Sequence, residues 1–328
     1  MDIQYINLTE GRVEEILFLW NKEIGDNFPM RKELLRQNTF EDVNVLLEGS
    51  WVAVDTKNDK TVGFIVSKIW KEDMECLKIQ KGVGHIQVIL VDHDYRNKGI
   101  GSELLKRAEK ALNEAAVKTV LLGQDPWHYF PGIPSEFKKT REWFERRGYV
   151  NYGEEYDMYC DLSKKNEVIL PDLLDVKFKL LDLAEKDKFL SFLKKSFPGR
   201  WEYEAIHYFK RGGEGRDFIV GEKNGEIVGF CRINDINSPF IAQNVYWAPL
   251  FNKELGGIGP LGIDEKERGK GLGLAIVQAG MYFLYSRGIR NVVIDWTELV
   301  DFYSRLGCKI WKKYTVYKKE LKYEASFY

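Results

Sequence analysis

Arg96-Asn97-Lys98-Gly99-Ile100-Gly101 and Arg268-Gly269-Lys270-Gly271-Leu272-Gly273 repeat one pattern, Arg-x-x-Gly-x-Gly, in a chain of 328 residues. Each copy follows a short apolar segment and opens an amphipathic run. At the start of a helix the first backbone N–H groups lack intrahelical partners and the helix dipole favours negative charge, so each copy reads as an anion cradle. The glycines let the backbone close on a phosphate and take positive φ where needed.

Working outward, Ile3 and Val176 open similar patterns ahead of the two loops, and Trp143-Phe144-Glu145-Arg146-Arg147-Gly148-Tyr149 answers Phe302-Tyr303-Ser304-Arg305-Leu306-Gly307-Cys308 behind them. The stretch between loop and answering segment is longer in the first half, so an extra loop sits there. Apolar spacing predicts in the first half a strand over 3–7, a helix over 14–22, a hairpin of 51–55 with 61–69, a strand over 85–91, a helix over 102–116 and a strand over 119–123. The second half repeats the order, with a strand over 176–180, a helix around 184–195, a hairpin of 218–222 with 227–233, a strand over 261–263, a helix over 274–287 and a strand over 291–295. The expected domains are therefore 1–165 and 172–328, divided where Lys164-Lys165-Asn166-Glu167 interrupts the apolar pattern ahead of Pro171.

A content of 44% hydrophobic and 30% charged residues is that of an ordinary globular protein, and the length accommodates two cores. The net charge of −1 disfavours nucleic acid and anionic membrane as partners. Cys76, Cys160, Cys231 and Cys308 are widely spaced and form no Cys-x-x-Cys pair; they are expected to be separate thiols, with no metal site. With no apolar span or leader-like start, the expected compartment is the cytoplasm.

A strand, the Arg-x-x-Gly-x-Gly loop, a helix, a second strand and a terminal Phe-Tyr-x-x-x-Gly segment together resemble the GNAT superfamily of acetyl-CoA-dependent N-acetyltransferases, twice over and across nearly the whole chain. The resemblance implies an α/β (α+β) fold in each half, a mixed, mostly antiparallel twisted sheet flanked by helices. It implies acetyl-CoA as cofactor, its pyrophosphate on the amides of Arg96, Asn97, Lys98, Gly99, Ile100 and Gly101, or of Arg268, Gly269, Lys270, Gly271, Leu272 and Gly273. The pantetheine arm would lie along Ile89 and Val91, or Leu261 and Ile263. Competing phosphate motifs fit less well: neither loop carries Gly-x-x-x-x-Gly-Lys-Ser/Thr, nor the spacing of a dinucleotide fingerprint.

Acyl transfer needs a neutral amine, a stabilised oxyanion and a proton for the departing thiolate. Members of this superfamily often use a tyrosine of the last helix as that acid, which implies Tyr303 in the second half; the first half has Phe144 there. Asp295 and Glu298 lie near the end of the Val292-Val293-Ile294 strand, where acidic groups often face the acceptor amine in the folds that the chain resembles. In the first half the extra loop Gly123-Gln124-Asp125-Pro126-Trp127-His128-Tyr129-Phe130-Pro131-Gly132-Ile133-Pro134 offers Asp125 and His128 as alternative bases, although aromatic loops also simply cover sheet edges. His85, His93 and His207 receive no role. The reading is an N-acetyltransferase acting on a primary amine of a small molecule; a CoA-binding regulatory protein and a peptide or protein N-acetyltransferase are the alternatives.

Overall fold

The computed structural model describes residues 2–72, 74, 82–165, 167–173 and 175–321; Cys76 and Asn166 lie outside them. The chain divides into two compact units, residues 1–73, 79–155 and 314–328 in the first and 74–78 and 156–313 in the second.

In the first unit the elements run β1 (Ile3–Asn7), α1 (Val13–Ile24), α2 (Lys32–Leu35), β2 (Trp51–Asp55), β3 (Lys60–Ile69), β4 (Val83–Val91), α3 (Ile100–Glu114), β5 (Thr119–Leu122), β6 (Ile133–Pro134), α4 (Lys138–Glu145) and the start of β7 (Val150–Asp161). Strands β1 to β4 pair antiparallel in sequence order. Next, β4 and β5 pair parallel from Val83 with Thr119 to Ile86 with Leu122. The far part of β13 (Lys309–Glu320) closes this unit, pairing antiparallel with β5 at Lys318–Glu320 and with β6 at Tyr314 and Thr315. Apolar residues of α3 recur at helical spacing, Ile100, Leu104, Leu105, Ala108 and Leu112, and pack on Ile65, Ile86, Val120 and Tyr317.

The second unit contains β8 (Lys177–Leu180), α5 (Lys186–Ser196), α6 (Arg200–Lys210), β9 (Phe218–Lys223), β10 (Glu226–Asn234), β11 (Leu255–Ile263), α7 (Leu272–Ser286), β12 (Asn291–Thr297) and α8 (Val300–Ser304). Antiparallel pairing joins β8, β9, β10 and β11; β11 and β12 pair parallel from Leu255 with Asn291 to Gly257 with Val293, and the last residues of β7 pair antiparallel with β12. Its core joins Cys231, Ile233 and Ile258 of the sheet to Ile276, Ala279 and Leu284 of α7.

Both units are thus mixed, mostly antiparallel sheets flanked by helices. Packing divides the chain differently from a cut between 165 and 172, because each unit is completed by strand residues that lie beyond that cut: 314–320 pair into the first sheet, 156–161 into the second. Two elements depart from the expected pattern. Strand β11 starts at Leu255, ahead of the expected 261, because Leu255-Gly256-Gly257-Ile258-Gly259-Pro260 is poor in strand-forming side chains yet is held by pairing on both sides. Helix α6, absent from the apolar reading, buries Tyr203, Ala205 and Tyr208 together with Glu202 and Glu204, so polar residues hide its buried face from the pattern.

The expectation of separate thiols is corrected. Cys160 at the end of β7 and Cys308 after α8 form a disulfide, hidden in the sequence by a separation of 148 residues. Cys231 is a buried free thiol. Among the described residues no helix is long and apolar enough to cross a membrane.

Candidate active site

Each cradle is built the same way. A one-turn helix follows β4 or β11, capped by Asp92 accepting from the Asp94 N–H at 3.1 Å and by Asp264 accepting from the Lys266 N–H at 3.0 Å. Arg96 Nε then donates to the Val91 carbonyl at 3.0 Å, and Arg268 Nε to the Ile263 carbonyl at 3.1 Å. Lys98 Nζ and Lys270 Nζ turn back to the carbonyls of Asp94 and Lys266, at 2.8 and 3.1 Å. Arginine and lysine therefore shape both loops by binding their own backbone.

Gly99 and Gly271 stand at the N-caps of α3 and α7 with φ of +84° and +83°, and neither helix start has a side-chain cap. A Cβ at either glycine would meet nothing within 4 Å, so what requires glycine there is the left-handed backbone, and the first-turn amides of Ile100, Gly101, Leu272 and Gly273 are left to an external acceptor. Asn97 shares the left-handed region, φ +61°, as does Gly269, φ +77°. An uncapped, exposed helix start with open space before it fits a pyrophosphate.

Beside each cradle the sheet forks. Past Ile86 the β4 chain continues without β5, whose end is pinned by the Gly123 N–H donating to the Ile86 carbonyl at 2.8 Å. Ile89 and Val91 lie on the freed stretch, both half-buried, while their other edge pairs with Ile65 and Gly63. Past Gly257 and Val293, β11 and β12 separate in the same manner, leaving Leu261 and Ile263 paired only with Cys231 and Gly229 of β10. Asn244 packs so tightly on Gly257 that a Cβ there would lie 1.9 Å from its Oδ1, and its Nδ2 donates to the Gly259 carbonyl at 3.3 Å.

In the first unit the fork opens a cavity of about 940 Å³, running from Gly99 and Gly101 along Val91 to Gln87, Phe130 and Trp143. Gln87 is buried; its Nε2 donates to the Trp127 carbonyl at 2.8 Å, and its Oε1 accepts no hydrogen bond. Phe144, in the position that corresponds to Tyr303, is a buried core residue without a proton to give. Asp125 is buried and ion-paired with Lys68 at 2.6 Å, and Lys68 also meets Asp42 at 2.8 Å. Burial opposes the Lys68 charge, but Asp125 and then Asp42 outweigh it and raise its pKa. His128 is buried with Nδ1 2.8 Å from the Asp125 carbonyl, and burial lowers the pKa of His85, whose Nδ1 lies 2.8 Å from the Gly123 carbonyl. The structure therefore brings Asp125 and His128 together, but as the buried anchor of the aromatic loop, outside the walls of the cavity.

In the second unit, Asp295 lies on β12 just past the fork. Burial of its carboxyl pushes its pKa up to about 6, against the lowering effect of Arg200 and the hydrogen bond from Asn244 and with the raising effect of Glu204. Tyr303 on α8 is buried; burial, then the charges of Cys231 and Asp295, push its phenol pKa up, so it stays protonated. The charge of Asp295 thus reaches Tyr303, which packs in the core of this unit, whereas Glu298 is exposed on the turn before α8. The sequence reading missed the groups packed behind Asp295. Arg200 Nε donates to Glu204 at 2.6 Å and its guanidinium lies 4.2 Å from the ring centre of Trp296. Glu204 in turn stands 3.7 Å from buried Arg232. An arginine inside Phe230-Cys231-Arg232-Ile233-Asn234 was the available signal.

The chain is similar to known proteins in sequence and in fold. The family model described as Acetyltransferase (GNAT) family fits residues 14–129 and again 185–308. A mycothiol acetyltransferase of Acidothermus cellulolyticus is 25% identical over 239 residues, 68% of each chain. Among solved structures, the glucosamine N-acetyltransferase region of a fungal multi-domain GH3 β-N-acetylglucosaminidase superposes with TM-score 0.85 at 24% identity, over 97% of this chain but only 38% of that one. A tandem GNAT protein from the clavulanic acid pathway gives TM-score 0.70 at 12% identity, over 97% and 98% of the two chains. These structural likenesses carry the fold, and the family model covers most of the sequence. The chain belongs to the acetyltransferase (GNAT) family, as a tandem member with one such domain in each half.

Proposed function

We propose that the protein transfers the acetyl group of acetyl-CoA to a primary amine of a small molecule, by direct attack in a ternary complex, and that the second unit performs the chemistry. The observation that supports this reading is a desolvated carboxyl, Asp295, on β12 just past the second fork, whose charge reaches the buried and protonated Tyr303. Acetyl-CoA, when bound, supplies the thioester carbon and the leaving thiolate. The amides of Leu272 and Gly273 hold its pyrophosphate, and the free edge of Leu261 and Ile263 aligns the arm toward the fork. Near neutral pH the Asp295 carboxylate is ionised and takes a proton from the acceptor ammonium, directly or through water, freeing the lone pair. Tyr303 gives its proton to the departing thiolate. The nitrogen sheds a second proton as the amide forms, which returns Tyr303 to its phenol directly or through water, and Asp295 releases its own proton to solvent, so each turnover of an ammonium yields one free thiol and one proton.

The first unit has the same cradle and a roomy cleft but Phe144 in place of the acid, and its Asp125 is committed to Lys68. In this reading it holds the cofactor through Ile100 and Gly101, alongside Ile89 and Val91, without transferring. The test is release of free thiol from acetyl-CoA against a panel of primary amines. Binding of acetyl-CoA with no amine-dependent thiol release would overturn the enzymatic reading in favour of a regulatory one; release with peptide amines alone would overturn the small-molecule acceptor.

A further inference from the structure

Aligned on the loop arginines, Ser102, Lys106 and Lys110 of the first repeat answer Leu274, Gln278 and Tyr282 of the second; aligned on the aromatics of the last helix, Arg147 answers Leu306. Three cations thus stand where the second repeat carries none. The structure gathers them beside the first cradle. A Cβ on Gly101 would lie 3.6 Å from Cζ2 of Trp143, and the Arg147 guanidinium stacks on that ring, 3.7 Å from its centre. Arg147 Nη2 donates to Ser102 Oγ at 2.8 Å and Nη1 to the Trp143 carbonyl at 2.9 Å, which fixes the group over the first turn of α3. Both Arg147 and Ser102 line the cavity that starts at the cradle, and both also line a second hollow of about 680 Å³ that continues past Lys106 and Lys110. Lys106 is exposed one helical turn beyond Ser102, about 6 Å along the axis.

These cations are short of anions. Lys110 meets Glu114 at 3.7 Å, but among the described residues neither Lys106 nor Arg147 has a carboxylate within ion-pair reach. The carboxylates that line the second hollow are engaged elsewhere: Glu109 with Lys319 at 2.8 Å and with the Tyr149 hydroxyl at 2.9 Å, Glu320 with the Thr119 hydroxyl at 2.8 Å. Partial burial and then Arg146 oppose the Arg147 charge, and Glu109 alone supports it. A fixed guanidinium with an ammonium near it and no counter-charge suits a phosphate. Coenzyme A carries two anionic groups on its nucleotide end, the pyrophosphate on one side of the ribose and a 3′-phosphate on the other.

Resting on the reading that the first unit holds the cofactor, we propose that this unit is selective for the 3′-phosphorylated nucleotide, with the 3′-phosphate on Arg147 and Lys106 and the pyrophosphate on the amides of Ile100 and Gly101. The second unit, with Leu306 and Gln278 in those places, takes the nucleotide with or without that phosphate. Arg147 and Lys106 are then specificity residues of one cradle only.

The test titrates acetyl-CoA and acetyl-3′-dephospho-CoA into the full chain by calorimetry, the site weakened by Gly99→Ala being the first cradle and the site weakened by Gly271→Ala the second. Loss of the 3′-phosphate is expected to weaken binding about 10- to 100-fold at the first cradle and less than about threefold at the second. Arg147→Leu, which installs the residue of the second repeat, should weaken acetyl-CoA at the first cradle by a similar factor and leave the dephospho ligand unchanged. If that variant does not fold, as judged by its thermal transition, Lys106→Gln on the exposed face of α3 reads the same difference. Equal binding of the two ligands at the first cradle, selectivity of equal size at both cradles, or variants that weaken both ligands alike would overturn the inference and leave the cofactor reading standing; the last pattern means a structural role alone. Binding of neither ligand at a site sensitive to Gly99→Ala overturns the cofactor reading of the first unit and the inference with it.

Discussion

The two cradles agree to within a tenth of an ångström in the arginine bond that shapes them and within a degree or so in the φ of the glycine that caps them, yet the groups beyond the forks are disposed in opposite ways. In the first unit Lys68 lies between Asp42 and Asp125, and the extra loop is locked down by that triad. In the second, Asp295 has its carboxyl desolvated without a direct cation, and Arg232 keeps idle donors. A buried charge met by opposite charges is a fastening, whereas a desolvated carboxyl with no direct cation is held where it can exchange a proton. On the proposed reading, that difference separates a unit that holds from one that reacts, although both carry one pattern of glycines.

The sharpest way to break that contrast is Tyr303→Phe, which is expected to lower kcat by about 10²- to 10⁴-fold with little change in acetyl-CoA affinity, measured by thiol release and calorimetry. Phe144→Leu in the first unit should leave kcat within about twofold; a large loss there would move catalysis to the first half. Next in size, Lys68→Met strands two buried carboxylates and is expected to destabilise the first unit by about 3–5 kcal/mol, read as a lowered thermal transition. An unchanged transition would show that the triad fastens nothing.

Asp295→Asn should reduce kcat/KM about 10²-fold and abolish its acid limb. With the folded carboxyl near 6 and the ordinary value at 3.8, the base is lost as pH falls through about 6. The same shift has a sign in stability. Between those two values the folded chain keeps a proton that the unfolded chain has released, so stability declines as pH rises through that window, and the asparagine variant should lack this decline. The smallest expected effect is that of Gly271→Ala and Gly99→Ala. Each forces an L side chain into left-handed backbone, about 1–2 kcal/mol, and should weaken acetyl-CoA binding at its own cradle about tenfold. Calorimetric stoichiometry of the two variants then tells whether both cradles are used.

The loops were legible because Arg-x-x-Gly-x-Gly is local: six consecutive residues carry the backbone conformation and the helix start together. Tyr303 entered as a candidate through the family resemblance and Asp295 through its place near the end of a strand, and both stand as the proposed acid and base. Lys68 was not, since it meets Asp125 across 57 residues and sits in a strand where a lysine reads as exposed. Arg232 and Glu204 escaped for a related reason. Their buried setting is created by α5, α6 and β10 together, and no local period announces it. The aromatic loop was found with two readings open at Asp125 and His128, a pair of bases or a cover for the sheet edge, and a buried lysine that meets the carboxylate from 57 residues away could not be seen in the sequence.

The strand 314–320 that closes the first sheet is encoded at the far end of the chain, after the whole second repeat. A gene fragment stopping at residue 165 would leave the outer edge of Thr119–Leu122 unpaired, the sort of bare strand edge that recruits other chains. The two repeats are consequently bound to a single reading frame: a ribosome must finish the second before the first can complete its sheet, and neither can be lost, shuffled or expressed by itself without damaging the other.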